Sequence, residues 1–189
     1  GADGGPFRGA AGEAHGGRRA GEAPGDHLGA FLGIRDDVGI SITSSVDSME
    51  VDATSADIKP LRCSDIETQP YPGLATDLQP PTCVLLTQAS GTSQVRETVF
   101  EDRLEWLGEL RRMGANVEIV DQHHAVIAGP SPLHGAEVEI GDLRAGASLI
   151  LAALAADGVT TIRGAHHVHR GYEKIDAKFL ELGARIERL

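Results

Sequence analysis

Cysteine is nearly missing from this chain: Cys63 and Cys83 are the only two in 189 residues, with neither a paired CxxC nor a histidine at ligand spacing beside them. That scarcity excludes a zinc scaffold or a disulfide framework and fits a reducing, cytoplasmic setting. Long apolar runs are missing too. The longest, AGASLILAALAA over residues 145–156, falls far short of the roughly 20 residues that cross a bilayer, so it reads as a buried helix and no membrane association is expected. Neither a basic n-region nor an apolar h-region opens the chain, so no secretion signal is expected. Basic charge is in short supply: 17 Lys and Arg face 28 Asp and Glu, a net charge of −11. Such a balance repels phosphate backbones and argues against a nucleic-acid partner. An anionic small ligand would need a local basic site. What remains, 41% hydrophobic and 24% charged residues, is the composition of one ordinary globular domain with a sizeable core.

Residues 1–26 (GADGGPFRGAAGEAHGGRRAGEAPGD) carry one large apolar side chain, Phe7, among Gly, Ala and charge. Such a segment offers too little burial to offset its ordering entropy, so it is expected to be a disordered tail. Residues 27–40 (HLGAFLGIRDDVGI) suggest a short helix and then a strand, and 40–54 alternate as a strand pair would. Five prolines between positions 60 and 81 leave only IETQ (66–69) as extended chain. Beyond that point the pattern predicts a helix at 76–89, a strand at 94–99, a helix at 102–113 and strands at 117–120 and 125–128. A second run follows: strand 136–140, helix 142–156, strand 159–164, helix 171–182, strand 184–187.

The two runs share residues as well as order. TDLQ opens one and GDLR the other, which sets Asp77 opposite Asp142 at an offset of 65. Arg103 falls opposite Arg170 at an offset of 67, and RMGANVEI aligns with ELGARIER through Gly114 and Gly183 at an offset of 69. A period this long exceeds that of solenoids, so the fold class expected is α/β (α+β), with duplicated βαβαββ units closing one domain.

Thr76 followed by Gln79 has the spacing of a capping box, which puts Asp77 in the first turn of a helix. The plain reading of Asp77 and Asp142 is that each stabilises a helix N-terminus by about 0.3–1 kcal/mol. The alternative is that the repeat gathers both with Arg103, Arg144 and Arg170 on one rim. Arginine grips phosphate or carboxylate through two hydrogen bonds, and a neighbouring carboxylate can take a proton from a hydroxyl. His166, His167 and His169, the last two on one face of an expected strand, lack a carboxylate partner set and read as polar loop histidines rather than a metal site.

The segments YPGLATDLQ (71–79), GTSQVRETVFEDR (91–103), ELRRMGANVEI (109–119), LHGAEVEIGDLRAGASLILAALAADG (133–158) and HHVHRGYEKIDAKFLELGARIER (166–188) resemble, in order and spacing, successive motifs of the UDP-N-acetylglucosamine enolpyruvyl transferases. The likeness runs from about residue 66 to the end, with a fainter extension to His27, and marks 27–189 as part of an enolpyruvyl-transferase domain built from repeated βαβαββ units, an inside-out α/β barrel. It implies transfer of the enolpyruvyl group of phosphoenolpyruvate to a hydroxyl of UDP-N-acetylglucosamine with release of phosphate, a step of peptidoglycan synthesis that needs neither cofactor nor metal. By resemblance, Asp77 is the general base and contacts the sugar hydroxyl, and Val99 offers a backbone contact to the nucleotide sugar. Arg103, Asp142, Arg144 and Arg170 line the cleft on the phosphoenolpyruvate side.

The departures are specific. The family's H-I-D-R-G-Y-E is here His167-Val168-His169-Arg170-Gly171-Tyr172-Glu173, its F-E-N-R-F is Phe100-Glu101-Asp102-Arg103-Leu104, and PGFPTD is PGLATD. The family's facing N-terminal domain, with its cysteine-bearing loop, has no counterpart in these residues, and Cys63 and Cys83 read as small packed side chains. A non-catalytic sugar-nucleotide-binding relative and a shikimate-pathway enolpyruvyl transferase are the competing readings.

Overall fold

The computed structural model describes residues 7–10, 29–40, 42–44, 49–51 and 60–189. The chain opens with strand β1 (Phe7–Ala10), helix α1 (Gly29–Val38) and an antiparallel pair, β2 (Ile42–Ser44) and β3 (Met49–Val51). A first unit follows: β4 (Ile66–Glu67), α2 (Gln79–Leu86), β5 (Gly91–Arg96), α3 (Leu107–Arg112), β6 (Asn116–Asp121) and β7 (His124–Gly129). The second contains β8 (Glu137–Glu139), α4 (Leu143–Ala155), β9 (Thr160–Arg163), α5 (His166–His169), α6 (Ile175–Glu181) and β10 (Arg185–Arg188).

The first unit makes a four-stranded sheet in the order β4-β5-β7-β6, with β4 parallel to β5 and the other neighbours antiparallel. The second sheet runs β10-β1-β9-β8, with β8 parallel to β9 and β1 antiparallel to both its neighbours. The two sheets match strand for strand once β1 is set in the place that β7 holds in the first. The symmetry extends to the turns: Gly114 after α3 and Gly183 after α6 both have positive φ, +94° and +89°, a backbone state that glycine adopts without steric penalty.

Alternation along the strands decides which face is covered. Ser93 and Val95 of β5 and Ala125 and Ile127 of β7 are buried while their neighbours are not, so one face of that sheet looks inward. Against it lies α2, which packs on α4 of the other unit. Small residues on α4 permit close approach: a β-carbon at Gly146 would lie 2.5 Å from Val168 Cγ2 and 2.8 Å from Ile140 Cγ2. Leu86, Leu107, Leu110 and Ile127 from one unit join Leu149, Ile150 and Ile162 from the other in one continuous core. The arrangement is sheet, helix, helix, sheet, with the helices inside.

Several expected boundaries move, each for a local reason. Phe7–Ala10 lies within the segment expected to be a disordered tail, yet it forms a strand by pairing on both sides with distant parts of the chain; the rest of that segment lies outside the described residues. The helix at 29–38 fills most of the stretch expected to become a strand, and Gly39, with φ +94°, ends it. Asp102 adopts φ +57°, a left-handed conformation that cannot continue into a helix, so α3 starts at Leu107 rather than 102. Lys174, at φ +48°, delays the expected 171–182 helix to Ile175, and His166–His169 form a single helical turn rather than a strand face.

Cys83 is fully buried on α2, and burial, reinforced by the negative charge of Glu97, pushes its thiol far above the ordinary range. A group whose folded pKa is raised contributes stability that is complete below its unfolded pKa, near 8.5, and drains away as pH climbs above it. Between pH 9 and 10.5 the unfolding free energy is therefore expected to fall by up to about 1.4 kcal/mol per pH unit from this group alone. Urea titrations of the wild type and Cys83→Val check it: the substitution removes that increment of slope. At neutral pH an alkylating reagent is expected to modify exposed Cys63 and spare Cys83.

Candidate active site

Asp77 sits in a turn closed by the Leu78 amide donating to the Ala75 carbonyl (2.9 Å), just before α2. The helix starts at Gln79, not 76, and no side chain caps it. Pro80 and Pro81 occupy its first turn and have no N–H to satisfy, so a capping box has little to do here. Freed from that duty, the Thr76 hydroxyl donates instead to Glu97 Oε2 at 2.8 Å. Asp77 is left 62% exposed.

Two guanidinium groups converge on it. Arg144 Nε donates to Asp77 Oδ1, and Arg103 Nη1 stands 3.7 Å from the same oxygen. Arg144 comes from the second unit and Arg103 from the first, so the cluster bridges the repeat. An exposed ion pair contributes only about 0–1 kcal/mol to stability, and stability is therefore a poor account of why three charged groups meet here. Arg103 lies over the Phe100 ring, 4.3 Å from its centroid. Its Nη1 is buried and has no hydrogen-bond acceptor among the described residues, the 3.7 Å separation being too long for one. One more anionic oxygen would satisfy that donor.

Asp142 realises the plain reading of an aspartate at a helix start. As N-cap of α4 it accepts from the Arg144 and Ala145 amides at 2.8 and 3.2 Å. Its carboxylate thus fixes the backbone of Arg144 rather than entering the Asp77 cluster. The Val99 amide donates to Glu97 Oε1 at 2.9 Å, so any backbone contact this residue offers a ligand falls to its carbonyl. Arg170 is exposed, and among the described residues it forms no ion pair with Asp77. It is nonetheless held nearby. The next residue, Gly171, abuts the start of α4, where an added β-carbon would lie 2.7 Å from Leu143 Cδ1.

Sequence reasoning missed Glu97 and Thr68 and gave Thr76 only a capping role. Glu97 is fully buried and accepts four hydrogen bonds, from the hydroxyls of Thr68 and Thr76 and the amides of Val99 and Phe100. The signal that could have found it is the strand period: Ser93 and Val95 face inward, and Glu97 falls next in phase. The His166 and His167 rings lie 4.1 Å apart. Among the described residues no group of three or more metal-capable side chains converges, and no helix is long and apolar enough to cross a membrane.

A family model described as EPSP synthase (3-phosphoshikimate 1-carboxyvinyltransferase) matches residues 23–179. The chain is 46% identical over 164 residues to a UDP-N-acetylglucosamine 1-carboxyvinyltransferase of Halothermothrix orenii, covering 87% of this chain and 38% of that protein. A Bacillus subtilis protein named UDP-N-acetylglucosamine 1-carboxyvinyltransferase 2 is 44% identical over 162 residues, covering 86% and 37%. Among solved structures, the enolpyruvyl transferase NikO from Streptomyces tendae superposes with a TM-score of 0.79 at 33% identity, over 86% of this chain and 36% of its own. An EPSP synthase from Acinetobacter baumannii reaches 0.69 at 19% identity, over 85% and 39%, a likeness of fold alone. The chain thus spans little more than a third of the length of each of these relatives.

Proposed function

Because the chain belongs to the EPSP synthase (3-phosphoshikimate 1-carboxyvinyltransferase) family, we propose that it forms one wall of a cleft in which the enolpyruvyl group of phosphoenolpyruvate passes to the 3-hydroxyl of UDP-N-acetylglucosamine. The observation that carries the reading is the meeting of Arg144 and Arg103, from opposite units, on the exposed carboxylate of Asp77. Asp77 takes the hydroxyl proton as the sugar oxygen bonds to the central carbon of phosphoenolpyruvate, whose methylene carbon gains a proton as the double bond opens. Arg103, Arg144 and Arg170 hold the carboxylate and phosphate of the tetrahedral adduct; the new methyl group then gives up a proton, the double bond re-forms, and the bond from the central carbon to the phosphate oxygen breaks to release phosphate. Preorganised cations, with no resident metal, provide the stabilisation. The names of the curated relatives favour the nucleotide sugar over a shikimate-type acceptor.

The product belongs to peptidoglycan synthesis, and so to cell-wall biogenesis, cell shape and cell division, in the cytoplasm. Residues 27–189, joined by β1 (Phe7–Ala10) in their second sheet, then form one partial domain, and a facing domain of the same family supplies the other wall. With one wall alone, the chain is expected to bind UDP-N-acetylglucosamine but not to release phosphate measurably, since losing a single preorganised donor already lowers rates about 10²–10³-fold. Calorimetry with the nucleotide sugar tests the first part, and Asp77→Asn is expected to weaken binding roughly tenfold or more through the lost charged hydrogen bond. A coupled phosphate assay tests the second. Turnover by the chain alone would refute the one-wall reading, and turnover or binding indifferent to Asp77→Asn would remove Asp77 from the chemistry.

A further inference from the structure

We propose that Glu97 is a positioning residue for this site, a buried carboxylate from which both the base-bearing and the arginine-bearing loops hang. The inference rests on the reading of Asp77 and Arg103 given above. The two Glu97 oxygens divide the work. Oε1 accepts from the Thr68 hydroxyl (2.8 Å) and from the Val99 and Phe100 amides (2.9 and 3.2 Å), which fixes the turn whose Phe100 ring supports Arg103. Oε2 accepts from the Thr76 hydroxyl at 2.8 Å, one residue before Asp77.

Glu97 itself cannot shift to follow a moving loop. Its amide donates to the His123 carbonyl (2.8 Å) and its carbonyl meets His123 Nδ1 (2.8 Å), so the turn between β6 and β7 clamps its backbone. Thr68 adds a second strap, since its hydroxyl oxygen accepts from the Thr98 amide at 3.0 Å while its carbonyl accepts from the Thr98 hydroxyl. All four donors to Glu97 are neutral hydroxyls and amides. Among the described residues Glu97 forms no ion pair, so its carboxyl group is held by directed hydrogen bonds, and these transmit geometry from a rigid sheet to two exposed loops.

The asymmetry between the oxygens makes the claim testable one link at a time. Thr76→Val removes only the Oε2 link at nearly constant volume, Thr76→Ser keeps it, and Glu97→Gln keeps the shape while removing the charge. Thr87→Val is the control, because that buried hydroxyl at the end of α2 bonds only locally, donating to the Val84 carbonyl and accepting from the adjacent Gln88 side chain, with no link to Glu97. In the full chain, the Arg144 Nε–H NMR signal reports the Asp77 pair without any ligand. It is expected to move in Thr76→Val and Glu97→Gln and to stay in place in Thr76→Ser and Thr87→Val. Affinity for UDP-N-acetylglucosamine is expected to fall about tenfold in the first two and to recover in Thr76→Ser. A folded Thr76→Val with the wild-type Arg144 signal would overturn the proposal. A wild-type chain that does not bind the nucleotide sugar would instead count against the proposed function, with the Arg144 signal still deciding the role of Glu97.

Discussion

Deletion of residues 1–10 is expected to strip hydrogen-exchange protection from β9 and β10 and to lower the unfolding free energy by on the order of 5 kcal/mol, comparable with the whole stability of a small domain. The reason is position rather than composition. β1 pairs with β10 along Phe7–Ala10 and with β9 along Phe7–Gly9, and among the described residues β10 has no other neighbour in its sheet. Without β1, two rows of backbone donors and acceptors face each other across an empty strand position. Ile162 and Ile186, both in the core, would lose the sheet that carries them. The β5–β7 amides are the internal reference, because their sheet is complete without the N-terminus. Equal protection of β9, β10 and β5 in the truncated chain would show that β1 contributes little.

Gly135→Ala is expected to destabilise the chain by about 3 kcal/mol or more, at or beyond the usual range for overpacking. The β-carbon would stand 2.5 Å from Val159 N and 2.6 Å from Val159 C, and closer still to the carbonyl oxygen. All three atoms are backbone, so no rotamer change can make room. The backbone is held there: the Gly135 amide donates to the Asp157 carbonyl (2.7 Å) and the Asp157 amide to the Leu133 carbonyl (2.9 Å), locking the link between the units to the turn after α4. Gly108 provides the contrast. It lies inside α3 with nothing within 4 Å of its missing β-carbon, so Gly108→Ala is expected to raise stability by about 0.5–1 kcal/mol. Thermal denaturation of the pair decides the matter, and similar shifts for both would refute the close-approach argument.

The duplicated units were legible because local signals repeat: Asp77 with Asp142, Arg103 with Arg170, and Gly114 with Gly183. The role of Asp142 as a cap follows from its place before an apolar helix. β1 was not legible, since its strand character comes from two partners more than 150 residues away and not from the propensity of Phe-Arg-Gly-Ala. The capping box at Thr76 was misread because Pro80 and Pro81 leave few amides to cap, and the hydroxyl turned to Glu97 instead. Glu97 itself hid behind its charge, since a carboxylate after Arg96 reads as a solvated strand end until the buried phase of Ser93 and Val95 is followed one step further. Of the proposed site, the sequence pointed to Asp77, Arg103 and Arg144, which do meet; it could not say that the side chain of Asp142 would turn to its own helix.

The placement of β1 also has a consequence in time. Phe7 pairs with Arg188, residues separated by 181 positions, so the second sheet closes through one of the longest sequence separations the chain allows. Local pairs such as β6 with β7 can form early, whereas this closure waits for the last strand and is slow for topological reasons. At the ~5–20 residues per second of synthesis, the first strand would wait on the order of 10–30 s for its partners to be made. Throughout that interval β1 is present with both edges open, and its exposed backbone is then the part of the newborn chain most apt to pair with a neighbour instead of with β9 and β10.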